Sequence, residues 1–235
     1  MLHAAAGRVL PQDCALCGGS SHSDLLCTPC NRSLEALPLA HCPRCAMPSA
    51  PGQECGRCLK RMPHYDRTHA ALRYQYPADR VILALKYRAK LPVAAYLARR
   101  LADSLRPGMR HHAAIDVVIP MPLHHARLAM RGYNQSVEIG RRVARELALP
   151  FACRTALCLR DTPPQANLPL KQRRANVRGA FSCSPALAGM SIAVVDDVMT
   201  SGATLDELAG VLKRAGAVRV ENWVVARTWP REPRD

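Results

Sequence analysis

The sequence has no long apolar run, few aromatic residues and few acids. None of its hydrophobic segments approaches the roughly 18 residues that a membrane-spanning helix needs. Residues 1–13 are alanine-rich but too short and interrupted for a secretory leader. We therefore expect a cytoplasmic protein without a membrane span. Aromatic side chains make up 4% of the chain, which gives little support to nucleic-acid binding by base stacking.

Two common nucleotide motifs are also missing. The sequence contains no G-x-x-x-x-G-K-[ST] and no G-x-G-x-x-G, which argues against a nucleoside-triphosphate P-loop and a dinucleotide site. No Ser-His-Asp or Cys-His arrangement predicts a nucleophilic enzyme.

Basic residues are present in large excess, and they are unevenly placed. The chain has 33 basic and 18 acidic residues, a formal net charge of +15. Residues 1–58 hold four of each, so the whole excess, 29 basic against 14 acidic, lies in 59–235. This favours a polyanionic partner on that part, with a role in solubility alone as the alternative. Lys86, Arg88 and Lys90 are candidate nucleic-acid contacts, with a solvated helix face as their alternative.

Eight of the eleven cysteines form four C-x2-C pairs. The pattern C-x2-C-x9-C-x2-C occurs twice with a constant offset of 28 residues, which indicates an internal duplication. Paired knuckles of this kind favour two closed structural zinc sites over disulfides. One zinc per repeat and a cross-braced pairing of alternate knuckles both stay open. The predicted ligands are Cys14, Cys17, Cys27, Cys30, Cys42, Cys45, Cys55 and Cys58.

The rest of the chain alternates between apolar strand patterns and helical patterns, which predicts an α/β fold with a mostly parallel sheet. Ligands of such sheets bind outside the carboxyl ends of the strands, here at Pro120 and Asp196. The predicted strands are 70–76, 116–120, 152–159, 178–183, 191–195 and 218–226, and the predicted helices are 79–88, 92–105, 134–147 and 204–215.

The predicted strand at 191–195 runs into two adjacent acids, Asp196 and Asp197, and then into a small hydroxyl-rich turn. A turn at a helix N-terminus offers free backbone amides to a phosphate. Paired carboxylates suit vicinal hydroxyls or a Mg2+ shared with a ligand. A polar turn that only caps the helix is the alternative.

This order of residues resembles the phosphoribosyl pyrophosphate (PRPP) signature of the type I phosphoribosyltransferases. The resemblance implies that the acids hold ribose hydroxyls and that the turn holds the 5′-phosphate. Ala203 departs from the pattern, since a Thr or Ser is usual there. The implied PRPP-binding residues are Asp196, Asp197, Thr200, Ser201, Gly202, Ala203 and Thr204.

A narrower resemblance, to the ComF family, covers essentially the whole chain. It is carried by 120–124 (PMPLH), 131–136 (RGYNQS), 86–87 (KY), 173–181 (RRANVRGAF) and the cysteine-rich head. ComF proteins are phosphoribosyltransferase-like proteins associated with DNA uptake and natural transformation. The resemblance implies a double zinc ribbon at 1–62 and a phosphoribosyltransferase-like domain at 63–235, with a strand and helical hood at 63–112 and the core at 113–235.

Within that domain the resemblance implies a loop carrying Arg131 near pyrophosphate and a lid at 161–177 that closes over PRPP. Lys171, Arg173 and Arg174 are the basic residues of this lid, and Mg2+ would accompany PRPP. The alternatives are a surface position for Arg131 and a solvated charge run for the lid residues.

Two kinds of function follow. One is a phosphoribosyltransferase, in the glycosyltransferase class, that moves the phosphoribosyl group from PRPP to an unidentified acceptor. The other is a non-catalytic protein, either a competence factor that binds single-stranded DNA or a zinc-ribbon adaptor for proteins of the competence machinery. The sequence leaves both open.

Overall fold

The computed structural model describes residues 12–22, 24–88, 91–109, 114–161 and 170–230 of the chain. Eight strands and eight α-helices lie within these ranges. The strands are β1 (Gln12–Asp13), β2 (Ser20–His22), β3 (Arg67–Arg73), β4 (Val117–Pro120), β5 (Ala156–Cys158), β6 (Phe181–Cys183), β7 (Ser191–Met199) and β8 (Arg219–Arg227). The helices are α1 (Thr28–Arg32), α2 (Gly56–Lys60), α3 (Ala78–Arg88), α4 (Leu91–Met109), α5 (His125–Arg131), α6 (Gln135–Glu146), α7 (Leu170–Val177) and α8 (Ala203–Arg214).

The central sheet has four parallel strands in the order β3, β8, β7, β4. Side chains alternate between its faces with a period of two. On β7, Ile192 and Val194 pack on one face, while Ala193 and Val195 pack on the other. All four are fully buried, so both faces of the sheet are covered, as is usual for parallel strands. The predicted mostly parallel α/β sheet is confirmed.

Each face of the sheet has its own helical layer. Apolar residues of α3, α4 and α6 form one core with β3, β4, β7 and β8. Helix α8 forms the other core together with Phe181 of β6 and the opposite side of the same central strands. The sheet therefore lies between two separate hydrophobic cores.

The two cysteine-rich repeats pack on opposite faces of this sheet. Leu26 and Leu34 of the first repeat belong to the core that contains α3 and α4. Cys42, Cys45 and Cys58 of the second repeat belong to the core that contains α8. Although the repeats share one spacing pattern, each completes a different hydrophobic core.

Several observed elements differ from the predicted ones. Strand β3 lies three residues earlier than the predicted strand at 70–76, and helices α1 and α2 were not predicted. Strand β7 continues through the acid pair to Met199, because β8 runs beside it and pairs Met199 with Arg227. Strands β5 and β6 are shorter than predicted, and they form a separate antiparallel pair instead of joining the parallel sheet. Helices α5 and α7 lie in segments for which no helix was predicted.

The boundary predicted at residue 62 stays a prediction. Strand β3, which begins five residues later, is an edge strand of the central sheet and pairs with β8 along its length. The segment 63–112 therefore supplies part of the sheet as well as the two helices α3 and α4. No helix within the described ranges is both long and apolar enough to cross a membrane.

Candidate functional site

The eight knuckle cysteines gather into two four-sulfur clusters. Cys14, Cys17, Cys27 and Cys30 form the first, and Cys42, Cys45, Cys55 and Cys58 form the second, with all four sulfurs of each cluster within 4.8 Å of one another. The cross-braced alternative is therefore wrong, because each repeat closes on its own cysteines.

The sulfur spacing in both clusters fits Zn2+. The Sγ atoms of Cys17 and Cys27 are 3.7 Å apart, and those of Cys45 and Cys55 are 3.5 Å apart. A tetrahedron with Zn–S distances of about 2.3 Å needs sulfurs roughly 3.8 Å apart. Four sulfur ligands leave no open position for a substrate, so two such ions would have a structural role.

The acid pair lies where β7 extends beyond its neighbour β4. The last register pair of these strands joins Pro120 to Val195, so Asp196 is the first β7 residue that β4 does not flank. Asp196 Oδ1 accepts hydrogen bonds from Ser136 Oγ at 3.0 Å and from the Asp197 N–H at 2.9 Å. The end of one short strand thus leaves a carboxylate accessible at the carboxyl edge of the sheet.

Asp197 is 5% exposed and has a cationic partner. Its Oδ2 lies 3.2 Å from Lys86 Nζ on α3 and accepts a hydrogen bond from Gln135 Nε2 at 3.4 Å. The buried carboxylate is thereby paired, as burial of a charge requires. Lys86 was predicted as a nucleic-acid contact, but the structure places its ammonium against this acid instead.

The start of α6 is fixed beside the acids by Asn134. Its side-chain oxygen accepts from the Ser136 N–H at 2.9 Å as an N-cap, and its Nδ2 donates to the Met121 carbonyl just after β4 at 3.0 Å. Gln135 and Ser136 are consequently held where they can bond to the two acids. Neither residue was predicted to belong to the binding site, although both lie in the segment 131–136 that carries the family resemblance.

Arg131 reaches the same group of residues. Its Nη1 donates to Gln135 Oε1 at 2.6 Å, and Gln135 in turn donates to Asp197. Gly132 ends α5 in the left-handed conformation with φ of +80°, which turns the chain from Arg131 back towards α6. The predicted pyrophosphate residue and the predicted ribose acids therefore lie in one hydrogen-bonded chain.

The turn after β7 lies against Asp196. A small cavity is lined by Asp196, Thr200, Ser201, Gly202 and Thr204, so the structure brings together most of the residues predicted for the sugar phosphate. Asp197 and Ala203 do not line it, and helix α8 begins directly behind it.

Glycine is needed at the centre of this turn. Gly202 has φ of +80°, and an added Cβ would lie 2.6 Å from Met199 Cε and 3.1 Å from Tyr65 Oη. The left-handed backbone conformation favours glycine here. A side chain would also require the end of Met199 to move and would lie close to Tyr65, which follows the second cysteine repeat in the chain.

Burial raises the pKa of Asp196 to about 7, and the neighbouring Asp197 carboxylate adds to this rise. The Asp197 N–H, the Lys86 charge and the Ser136 hydroxyl act in the opposite direction. A buried carboxylate with an acidic neighbour has an unfavourable charged form, which a cation or a hydroxyl donor would relieve. Asp196 and Asp197 are therefore suited to a ligand that carries hydroxyl groups or a bound cation.

The predicted lid is only partly described. Residues 162–169 and the candidate nucleic-acid contact Lys90 lie outside the described residues, as do the side chains of Lys171 and Arg88. Arg173 and Arg174 lie on α7. Arg174 lines a cavity with Ser201, Gly202 and Ala203, on the side of the turn that faces the second cysteine repeat.

A buried arginine, which the sequence reasoning missed, joins the turn to the second repeat. Arg227 at the end of β8 is fully buried. Its Nε donates to the Cys45 carbonyl at 2.8 Å, and its Nη1 donates to the carbonyls of Met199, at 2.8 Å, and Thr200. The signal in the sequence was an arginine directly after the apolar run 223–226. Arg57 adds a second link, with Nη2 3.3 Å from the Ser201 carbonyl.

The fold and the site define a parallel α/β protein that has an acid pair and a hydroxyl-rich turn at the edge of its sheet, preceded by two four-cysteine modules. It is 31% identical to competence protein F of Haemophilus influenzae, over 91% of this chain and 96% of that protein. It is 32% identical to DNA utilization protein YhgH of Salmonella typhimurium, over 86% of this chain and 90% of that protein. The chain belongs to the family of these two proteins, the ComF family.

A family model and a solved structure also match the chain. A family model described as a double zinc ribbon domain matches residues 5–59. Among solved structures, a purine phosphoribosyltransferase from Pyrococcus horikoshii matches 72% of this chain and 96% of its own, with 16% identity and a TM-score of 0.33.

The separate clusters predict independent metal sites. We expect about two zinc ions per chain in the wild type and about one in each of the double variants Cys14→Ser/Cys17→Ser and Cys42→Ser/Cys45→Ser, because each repeat supplies all four ligands of one ion. Metal analysis of the purified proteins measures this. Cys153→Ser, at an exposed cysteine outside both clusters, is the control and should keep two ions. Loss of both ions from either double variant would contradict separate sites.

The contacts of Arg227 predict a large effect on stability. Arg227→Met should lower the free energy of unfolding by about 3 kcal/mol or more, because the carbonyls of Cys45, Met199 and Thr200 lose a buried donor at roughly 1–3 kcal/mol each. Urea denaturation of the zinc-loaded protein measures it. Arg141→Met, at an exposed position, should change the value by no more than about 0.5 kcal/mol. Equal effects of the two substitutions would refute the bridging role.

The raised pKa of Asp196 predicts a pH dependence of stability. The folded state holds this proton up to about pH 7, whereas the unfolded chain releases it near the ordinary value of 3.8. The contribution is therefore fully present below pH 3.8 and is lost as the pH rises through 7. Relative to Asp196→Asn, the wild type should become less stable between pH 5 and pH 8. Urea denaturation at both pH values tests this, and a constant difference between the two proteins would contradict it.

Proposed function

We propose that the chain binds PRPP, or a related ribose 5-phosphate ligand, at the acid pair and the turn after β7. The observation that carries this proposal is the cavity shared by Asp196 and the residues Thr200, Ser201, Gly202 and Thr204 at the carboxyl edge of a parallel sheet. A sugar phosphate needs acceptors for its hydroxyl groups and donors for its phosphate. The strand-end carboxylate accepts hydrogen bonds from hydroxyls, and the hydroxyl-rich helix N-terminus donates hydrogen bonds to a phosphate.

Different residues of the site bind different parts of the ligand. The carboxylates of Asp196 and Asp197 accept from the two ribose hydroxyls, and the hydroxyls and backbone amides of the turn bind the 5′-phosphate. Arg131, together with Lys171, Arg173 and Arg174 of the lid, attracts the pyrophosphate. Asp196 and Asp197 would hold Mg2+, which would supply positive charge to the phosphates of the ligand. The partly buried carboxylates supply the hard oxygen donors that this ion prefers.

Lys86 has a defined place in this proposal. Its ammonium compensates the buried Asp197 charge at 3.2 Å. Because Lys86 belongs to α3 and Asp197 belongs to β7, the ion pair keeps the helical segment 63–112 close to the ribose side of the site. Acceptor-selecting groups on α3 would then lie near the reacting carbon.

The chemistry that this arrangement supports is displacement of pyrophosphate at ribose C1. The bond between C1 and the pyrophosphate oxygen breaks, a bond from C1 to an acceptor nitrogen forms, and the acceptor proton is released. Basic residues around the leaving group stabilise its charge, so the protein needs no nucleophile of its own. This fits the absence of a nucleophilic triad pattern from the sequence.

We further propose that this activity serves the handling of DNA in the cytoplasm, with single-stranded DNA and competence proteins as partners. Support comes from the printed names of the relatives, competence protein F and DNA utilization protein. The basic excess of 29 over 14 residues in 59–235 favours a polyanion. Zinc binding through eight reduced thiols favours a reducing compartment. Binding of single-stranded DNA without catalysis is the second candidate function, carried by the same basic excess.

The acid pair provides the test of the sugar-phosphate site. The double variant Asp196→Asn/Asp197→Asn should lose PRPP binding, and wild-type binding should require Mg2+, because neutral amides cannot balance the ion or accept from the hydroxyls as strongly. Isothermal titration calorimetry with PRPP measures both effects. The matched control Asp24→Asn/Asp103→Asn removes two exposed carboxylates outside the proposed site and should bind like the wild type. Unchanged affinity in the acid-pair variant would sink the assignment, and release of pyrophosphate in the presence of amines or bases would identify the acceptor class.

A further inference from the structure

Three arginines line a cavity on the far side of the turn from the acid pair. Arg61 follows α2 of the second repeat, Arg174 lies on α7, and Arg178 follows α7. They surround a cavity of about 300 Å3 between the second repeat and helices α7 and α8. We call these three residues and the space between them the arginine cavity.

The guanidinium groups of the arginine cavity have no direct partner within the described residues. All three residues are exposed, and none of their guanidinium groups has a hydrogen bond or ion pair within the described residues. Elsewhere in the described residues basic groups often do have acidic partners, as Arg44 does with Glu54 and Lys86 does with Asp197. Unpaired guanidinium groups converging on one concave surface favour an anionic ligand.

The two acids at this cavity are already used. Asp206 Oδ1 accepts from the His64 N–H at 2.7 Å and lies 2.9 Å from His64 Nδ1. Glu207 Oε1 accepts from the Gly179 N–H at 2.8 Å. These bonds hold the walls of the cavity together, and they leave the arginines as the groups available to a ligand.

The basic lining continues past the cavity towards the turn. A smaller adjoining space is lined by Arg57, Arg61 and Arg174 together with Ser201 and Gly202. The two spaces share Arg61 and Arg174, so the positive charge follows an elongated path instead of one pocket. An extended polyanion matches this shape better than a single phosphate does.

The walls also indicate how such a polyanion would be recognised. His64 supplies the one aromatic ring among the described residues that line the larger cavity, and it is bonded to Asp206. The lining therefore offers charge to a phosphate backbone and no platform on which bases stack.

We propose that the arginine cavity binds the backbone of single-stranded DNA independently of its sequence. This inference deepens the DNA-handling part of the proposed function and does not depend on the sugar-phosphate part. It moves the expected DNA contact from α3, where Lys86 is paired with Asp197, to the opposite face of the sheet. The second cysteine repeat would then form one wall of the DNA site.

The test uses the zinc-loaded full chain and fluorescein-labelled oligo(dT), followed by fluorescence anisotropy at several salt concentrations. The double variant Arg61→Gln/Arg178→Gln avoids Arg174, which is assigned to the lid. It should weaken binding about tenfold or more. It should also lower the slope of log Kd against log salt by about 1.4, since each lost phosphate contact on a single strand contributes about 0.7. A mixed-sequence strand should behave like oligo(dT).

The matched control is Arg141→Gln/Arg145→Gln, which removes the same charge from exposed positions of α6 on the other face of the sheet. We expect it to change affinity less than threefold and to leave the salt slope nearly unchanged. Equal losses in the two variants would overturn the proposal, because only net charge would then matter. Zinc content and thermal midpoint, compared with those of the wild type, show that each variant is folded.

Three further outcomes are decisive. Retention of strand binding by Asp196→Asn/Asp197→Asn supports a DNA site separate from the acid pair. Displacement of the single strand by equimolar pyrophosphate would overturn the proposal and indicate a site for small anions. Tighter binding of duplex than of single-stranded DNA would also overturn it and would indicate a duplex site. Absence of strand binding in the wild type would overturn it as well, while PRPP calorimetry would still decide the sugar-phosphate proposal by itself.

Discussion

The buried guanidinium of Arg227 is the contact on which the arrangement of the site depends. It donates to carbonyls from the second cysteine repeat and from the turn after β7, and its burial lowers its pKa. The hydrogen bonds run to carbonyl oxygens, so the charge relies on backbone dipoles and on the nearby sulfur cluster. These hydrogen bonds connect the turn directly to the second repeat, so the cysteine module adjoins the candidate site.

The two similar repeats have different positions in the fold, and the second of them is connected to the turn through Arg227. Both supply a four-sulfur cluster, but the first packs against α3 and α4 while the second packs against α8 and the turn. Within the described residues, the second repeat contributes Arg57 and Arg61 to the concave surface near the turn. One duplicated motif therefore stabilises the hydrophobic core on one face and shapes a binding surface on the other.

The two carboxylates of the acid pair lie in opposite electrostatic environments. Asp197 is paired with Lys86, whereas Asp196 has a raised pKa because of its burial and the adjacent charge. The charged form of Asp196 is unfavourable in this position. Strand β7 and helix α6 nevertheless keep both acidic side chains in place. Charge that a folded protein does not fully compensate is available to a ligand, and this holds equally for the arginines beyond the turn.

The sequence by itself determined the features that depend on local spacing. Knuckle spacing predicted which cysteines form the four-sulfur clusters, and alternating apolar patterns predicted most of the sheet. The acid pair with its turn predicted a sugar-phosphate site, which stays a prediction. Only the tertiary structure decided which cysteines share a cluster, that Lys86 pairs with Asp197, and that Arg227 bridges Cys45 and the turn. These contacts join residues that are 111 and 182 positions apart. A periodic pattern within one segment holds no information about which distant segment lies against it, because packing of the whole chain makes that choice.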